Sequence, residues 1–300
     1  MAQRWPGFGR IRRTDPGDVA GVCCLNRRTE SDLFASETLV ETIRFASLGS
    51  GSGGNGTVVQ GGGTTVLVDC GFSVKQTTSR LNALGVAVET IDALLVTHEH
   101  GDHVGGVIPL AHRFDLPVYA SHGTHRALAE RDLEQRLARV IVPAEELVVG
   151  DLAVLPVPVP HDAREPTQYV ISHAGVAVGI LTDLGHVTPF VVESYRKCNA
   201  ILVESNHDAE MLRNGDYPQR LKRRIAGKFG HLSNAQTAGF LEEVVHDALT
   251  HVVIGHISEQ NNAKEPLQRT FTELEKLIPN FAYATQTHGI GWTQPLAISV

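Results

Sequence analysis

Thr97-His98-Glu99-His100-Gly101-Asp102-His103 follows the aliphatic run Asp92–Val96, and its reading decides the rest of the chain. Four side chains of metal-binding type, His98, His100, Asp102 and His103, fall within six positions at the end of an expected strand. A strand that ends in a loop delivers its side chains to one edge of a sheet. His98 and His100, two residues apart, point the same way while the backbone stays extended. Asp102 and His103 then turn toward a second point nearby. Two imidazoles at one point and a carboxylate with an imidazole at the other form a two-metal nest. Gly105-Gly106 lets the following helix start close to it. A lone histidine is more often a packed core residue, but this spacing after a buried strand points to ligands.

Composition fits that reading. The 300 residues include 15 His, and Lys+Arg 26 against Asp+Glu 33 leaves a net charge of −7. That balance argues against wrapping long nucleic acid with the whole surface and leaves room for a local basic patch. No run of about 18 apolar residues exists, so no transmembrane helix is expected. Arg4, Arg10, Arg12 and Arg13 are followed by no apolar segment, so no signal peptide is expected. Cys23, Cys24, Cys70 and Cys198 form no CxxC pair, which fits a reducing cytoplasm better than a disulfide scaffold.

Outward from the motif, residues 1–40 carry Trp5-Pro6-Gly7 and Asp15-Pro16-Gly17 without a sustained period. They read as a poorly ordered extension, and with Met only at 1 and 211 the natural start is placed near Val40. Residues 41–300 read as one domain. Strands are expected at Thr42–Ser47, at Thr57–Gln60 and Thr64–Val68 as a hairpin, and at Asp92–Val96, Val118–Ala120, Leu152–Val157, Gln168–Ser172, Val176–Leu181, Ala200–Val203 and Val252–Ile254. Helices are expected over Ser73–Leu84, after the Ser233/Gln236 capping box with a stripe of Leu241, Val244, Val245 and Ala248, and along Leu267, Phe271, Leu274 and Ile278. The pattern is that of a layered α/β or α+β domain.

The His98–His103 motif resembles the metallo-β-lactamase fold superfamily, which implies an α/β four-layer αββα sandwich with a dinuclear metal site. Its other site motifs have matches in order: Asp69 in Leu67-Val68-Asp69, His161 in Val159-Pro160-His161, Asp183 in Leu181-Thr182-Asp183 and His256 in Ile254-Gly255-His256. On that resemblance His98, His100 and His161 hold one metal, Asp102, His103 and His256 hold the other, and Asp183 bridges. Two divalent ions, Zn²⁺ or Mn²⁺ with Fe²⁺ also compatible, would make a bridging hydroxide available near neutral pH. Asp69 either orients a ligand His or caps its strand end. His100 stands where diiron relatives have Glu, which argues against an oxidoreductase.

Outside the ligands, His231 in Gly230-His231-Leu232-Ser233-Asn234 lies 25 residues before the last ligand. Phosphodiesterase branches such as ribonuclease Z have a similar extra His, which implies a proton-donating or charge-stabilising role here beside Asp102. Arg220, Lys222, Arg223, Arg224 and Lys228 lead up to it and suit phosphate attraction. In detail the chain is similar to YycJ/WalJ-like metallohydrolases, through Ser47–Asn55, Thr97–Gly106, His161-Asp162-Ala163, Thr182–Gly185, Glu204–Asp208, Gly230–Asn234 and His256–Asn262. That similarity implies a cytoplasmic DNA exonuclease of 5′→3′ polarity linked to mismatch repair.

Ser50, Ser52, Asn55, Asn206 and Asn234 are then expected to contact phosphate or substrate, with His207 and Asp208 supporting the site from behind. His122 and His125 are candidates for a supporting role. Asp183 and His256 lie only 73 positions apart, too close for a β-CASP insert between them. The expected partner is DNA at the basic patch, with no membrane, and a homodimer is compatible with the sequence. Competing readings are a small-molecule phosphodiesterase or thioester hydrolase of the same fold, and a DNA-repair accessory protein whose metals only hold the fold.

Overall fold

The computed structural model describes residues 40–296. The expected extension lies outside the described residues except for Val40, which opens the first strand. The first sheet takes β1 (Val40–Gly49), β2 (Gly56–Gly62), β3 (Thr64–Val68), β4 (Ala93–Leu95), β5 (Val118–Ser121) and β6 (Ala138–Ile141). The second takes β7 (Leu147–Val149), β8 (Leu152–Pro158), β9 (Thr167–His173), β10 (Val176–Leu181), β11 (Ala200–Glu204), β12 (His251–Gly255) and β13 (Asn280–Tyr283). β14 (Ile290–Thr293) returns to the first sheet beside β1, giving the orders β14-β1-β2-β3-β4-β5-β6 and β13-β12-β11-β10-β9-β8-β7.

The two-residue side-chain period builds the layers. Ile43, Phe45, Val66 and Val68 of the first sheet face Val176, Val178, Ala200 and Leu202 of the second in one buried inter-sheet core. Their neighbours Ala46, Leu67, Ile201 and Val203 point outward into two further cores under helices. Helices α1 (Val74–Ala83), α3 (Val107–Phe114) and α4 (His122–Ala129) supply Leu81, Leu110 and Leu128 to the outer core of the first sheet. Between α1 and α3 lies the single turn α2 (Gly101–Val104). Helices α5 (Pro189–Tyr195), α8 (Asn234–Val244) and α9 (Lys264–Leu277) cover the second sheet with Tyr195, Phe240 and Phe271. The result is the αββα sandwich. The short helices α6 (Ala209–Asn214) and α7 (Gln219–Ile225) sit between β11 and α8 in the chain. Strands buried on both faces read as continuous aliphatic runs, and such runs locate β3, β4 and β10 to β12 in the sequence.

Local signals fix the helix starts. Ser73 with Gln76 and Ser233 with Gln236 both form complete capping boxes. The expected stripe of α8 overruns its end: Val245 is already extended and Ala248 lies past the helix. There His246 Nε2 donates to Cys198 O at 3.1 Å while its Nδ1 accepts from Ala248 N at 3.3 Å, turning the chain toward β12. Strands β6, β7, β13 and β14 were not expected. They are three or four residues long and only partly buried, so they leave little periodicity to read.

One consequence of topology positions the site. β3 and β4 are parallel neighbours, as are β10, β11 and β12. β8 is antiparallel to β9 and β9 to β10, so β8 runs with β10. The C-terminal ends of these strands, at 68, 95, 158, 181, 204 and 255, lead into the loops that carry the candidate ligands.

Candidate active site

Three candidate site residues hold left-handed backbones at strand ends: Asp69 (φ 58°), Asp183 (φ 56°) and His256 (φ 46°). Such a conformation is costly for a residue with a Cβ and turns its side chain sharply out of the strand line. Close approach of the surrounding loops depends on glycine. A Cβ on Gly71 would collide with the Asp102 carbonyl, and one on Gly106 with the Phe72 carbonyl. Asn55 N donates to Asp102 O at 2.7 Å and Cys70 N to His103 O at 2.8 Å, lacing the glycine loop and the β3 end to α2.

His98, His100 and His161 offer nitrogens within 4.8 Å of one another, and so do His98 and His103 with an Asp183 oxygen. The other ring nitrogen of each first-cluster imidazole is held from behind. His98 Nδ1 donates to Thr97 Oγ1 at 2.9 Å, and His161 Nδ1 donates to Gly230 O at 3.0 Å. His100 Nε2 donates to Asp162 O at 3.2 Å, leaving its Nδ1 3.3 Å from His161 Nε2. The second cluster is anchored by Asp69. Its Oδ2 accepts from His103 Nδ1 and from Thr97 Oγ1, both at 2.8 Å, and its Oδ1 accepts from Thr97 N at 2.8 Å. His103 Nε2 then stands 2.8 Å from Asp183 Oδ2 and 3.5 Å from Asp102 Oδ2. His256 completes this side, with Nδ1 3.2 Å from Asp183 Oδ1 and Nε2 3.8 Å from Asp102 Oδ2.

Among the described residues, His98 Nε2, His256 Nδ1 and Asp183 Oδ2 are buried atoms without a hydrogen-bond partner. Buried polar atoms are almost always satisfied, so a cluster of orphaned lone pairs aimed at one another fits cations. The donor set, imidazole and carboxylate, suits divalent ions. Burial, reinforced by His103, keeps His98 well below its ordinary pKa, so its imidazole is neutral and able to ligate. Burial works against charge on Asp183, but His256 and His103 more than offset this and hold its carboxyl well below the usual range.

Glu204, which the sequence reading left without a role, ends β11 and is fully buried. Its Oε1 accepts from Leu184 N at 2.7 Å and Leu232 N at 3.1 Å, and its Oε2 accepts from His231 Nδ1 at 3.0 Å. Asp183, Glu204, His231 and His256 also lie within 4.8 Å of one another. Both Glu204 oxygens accept N–H groups, so its carboxylate anchors Leu184, Leu232 and His231 to the end of β11. The available sequence signal was an acid closing the apolar run Ala200–Val203 at the same sheet edge as Asp183 and His256. Burial opposes charge on His231, but the Glu204 carboxylate and then Asp183 outweigh it and raise its pKa to about 9.

A cavity of about 240 Å³ opens over these groups, lined in part by Ser52, His100, Asp102, Asn206, Arg224 and His231. Of the basic run only Arg224 lines it, with Nε 2.5 Å from Asp162 Oδ2. Arg220, Arg223 and Lys228 are exposed elsewhere, and Lys222 Nζ donates to Arg213 O. The structure also relocates several expected substrate contacts. Ser50 is buried and its Oγ accepts from His256 N at 2.8 Å. Asn55 is buried, with Nδ2 3.2 Å from Asp102 Oδ2 and Oδ1 accepting from Gly51 N at 2.9 Å. Asn234 is buried in an amide network with Ser205 and Asn262. These three side chains hold ligand-bearing loops and helix α8 in place, because their polar atoms are spent inside the protein.

Asn206 lines the cavity while its Nδ2 donates to His256 O at 3.1 Å. His207 is buried, and its segment bridges to Ser233. Asp208 caps α6, its Oδ1 accepting from Glu210 N and Met211 N. His125 Nε2 donates to Arg139 O at 3.0 Å, and neither it nor His122 lines the cavity.

Residues 64–257 match the family described as a β-lactamase superfamily domain. The chain is 35% identical over 225 residues to the exodeoxyribonuclease YycJ of Bacillus anthracis, covering 74% of this chain and 85% of that one. It is 34% identical over 229 residues to the exodeoxyribonuclease WalJ of Streptococcus pneumoniae, covering 74% and 84%. The fold matches the metallo-β-lactamase fold protein YhfI of Bacillus subtilis with a TM-score of 0.65 at 14% identity, over 84% of this chain and 99% of that one. The chain therefore belongs to the β-lactamase superfamily and is a metal-dependent hydrolase of the metallo-β-lactamase fold, with the YycJ and WalJ proteins among its relatives.

Proposed function

We infer that this protein is a dinuclear phosphodiesterase acting on DNA, an exonuclease of 5′→3′ polarity in the cytoplasm, with residues 41–300 as its catalytic unit. The observation that carries the reading is the His231–Glu204 pair on the rim of the His/Asp cluster, 3.0 Å apart, with Arg224 lining the same cavity. A phosphodiester needs a cationic cradle and a proton for the departing oxygen, and these residues provide both. The similarity to two exodeoxyribonucleases supports DNA as the substrate.

His98, His100 and His161 would hold one divalent cation and Asp102, His103 and His256 the other. Asp183 would stand between them, since one of its oxygens approaches His103 and the other His256. When bound, the cations supply Lewis acidity and an activated water. The chain itself does the rest. Glu204 takes the His231 Nδ1 proton in a hydrogen bond and so turns Nε2 toward the cavity. The protonated imidazole donates from Nε2 to the leaving oxygen. Arg224 holds a non-bridging phosphoryl oxygen, releasing Asp162 as it does so.

The test is a nuclease assay on end-labelled single- and double-stranded DNA with metal-depleted protein and Mn²⁺ or Zn²⁺ added back. Cleavage restored by metal and absent from Asp102→Ala supports the reading, and the labelled end reports polarity. No cleavage with any metal, at two bound ions per chain, moves the assignment to a small phosphodiester or thioester.

A further inference from the structure

We propose that a second pocket, of about 420 Å³, receives the nucleobase beside the phosphodiester being cut. The proposal rests on the nuclease reading above and deepens it. The pocket and the metal cavity share Ile257 and Ser258 as lining residues, directly after the ligand candidate His256. Gln286 lines the pocket and binds the glycine loop that carries Ser52, accepting from Gly53 N at 2.6 Å and donating to Gly54 O at 3.0 Å. Two recesses thus flank one strand-end segment and one loop.

Their chemistry differs. The metal cavity is lined by His, Asp and Arg side chains, whereas Ile257, Ala263, Leu267 and the Tyr283 ring give the neighbouring pocket hydrocarbon walls. A phosphate set against those walls would lose its hydration without recompense, and the exposed Glu259 carboxylate, which also lines the pocket, would repel it. A flat heteroaromatic ring would not, because its faces are apolar and its polar atoms lie on its edge. Exposed Gln268, with a donor and an acceptor on one carboxamide, and exposed Lys264 also line the pocket. They can meet a base edge and the next phosphate. Stacking on an aromatic ring tolerates any base, as an exonuclease requires, and the volume falls in the range of roughly 300–1,000 Å³ usual for small-ligand sites.

The test walks a single abasic residue along an oligodeoxynucleotide through the positions flanking the cleaved bond. In the wild type an abasic residue at one position is expected to raise KM roughly 10-fold, the scale of one stacked base. Tyr283→Ser, which removes the ring, and Ala263→Trp, which fills the pocket, show that loss on intact DNA and lose nothing further on the abasic strand. Tyr283→Phe, which keeps the ring, retains the abasic penalty. Anisotropy with an uncleavable phosphorothioate strand and metal-free protein gives the same pattern in Kd. If no abasic position matters to the wild type, or if the pocket variants lose as much as the wild type on abasic DNA, the proposal is overturned while the nuclease reading stands. Failure of the wild type to cut or bind DNA at all overturns both.

Discussion

Glu204 Oε2 accepts a hydrogen bond from His231 Nδ1 at 3.0 Å, and its Oε1 is held by the backbone N–H groups of Leu184 and Leu232. The pair joins the end of a central strand to the loop before α8. With its pKa raised to about 9, His231 is a cation at neutral pH and loses that proton only as pH rises through this value. Glu204→Gln keeps an oxygen for the backbone donors but removes the charge, so the His231 pKa falls. The alkaline limb of the kcat profile is then expected to move to lower pH, with kcat down about 10-fold at pH 8. His231→Ala removes the donor itself and is expected to cost about 10²–10⁴ in kcat. An unmoved alkaline limb in Glu204→Gln would refute the proton-donor role.

Asp183 presents one oxygen to each side of the cluster and is 2% exposed. Asp183→Asn removes the charge while conserving shape. The expected outcome is loss of activity with metal content reduced from two ions toward one, measured by elemental analysis, and an unchanged circular dichroism spectrum. Chelation of the wild type is likewise expected to silence the enzyme without unfolding it, because Asp69, Thr97 and Gly230 hold the histidines independently of any ion. Unfolding on chelation would instead favour metals that only hold the fold.

Asp69 does not line the metal cavity but fixes His103 through Nδ1 and fixes Thr97 through both backbone and hydroxyl. Losing such support behind a ligand typically weakens metal binding about 10–100-fold. Asp69→Asn should raise the metal Kd by that factor in a competition titration and restore near-normal kcat at saturating metal. An unchanged Kd would show that Asp69 serves only the strand end.

His207 is buried, and burial lowers its pKa from 6.5 to about 4. Between these values the unfolded chain binds more protons than the folded one, so stability is fully present above about pH 6.5 and is lost as pH falls toward 4. The ceiling of this effect is about 3 kcal/mol. In metal-free protein the drop in urea midpoint between pH 7 and pH 5 should be smaller for His207→Gln than for the wild type. Parallel curves would show that His207 carries no such linkage.

Arg224 is the cation of the basic run that lines the metal cavity, while Arg220 and Arg223 are exposed and do not line it. Arg224→Ala is expected to lower kcat/KM at least 10-fold on both DNA and bis-p-nitrophenyl phosphate. Arg220→Glu with Arg223→Glu should flatten the salt dependence of DNA cleavage and leave the small substrate within twofold. Equal damage to both substrates by the exposed pair would remove the distinction.

The candidate ligands stand out in the sequence because their motifs follow aliphatic runs, and short-range rules suffice there. A parallel strand buried on both faces is a continuous apolar stretch, its end is a sheet edge, and His or Asp at that edge stands out. The capping serines of α1 and α8 were legible for the same local reason. Glu204 was present in the sequence as one acid among many. Only the parallel pairing of β10, β11 and β12 sets it beside Asp183 and His256.

The sequence likewise offered Ser50, Asn55 and Asn234 as free polar side chains in loops. Their hydroxyl and amides are consumed by partners 206, 47 and 28 residues away, at His256, Asp102 and Asn262, and no local pattern records contacts at that separation. The basic run shows the same limit, since a stretch of cations specifies charge, while helix α7 and its packing decided that Arg224 alone faces the cavity. The sequence by itself determined which side chains of metal-binding type stand at strand ends and which strands carry them. Tertiary structure decided which polar groups remain free for a substrate, because that depends on where both partners of each hydrogen bond lie in space.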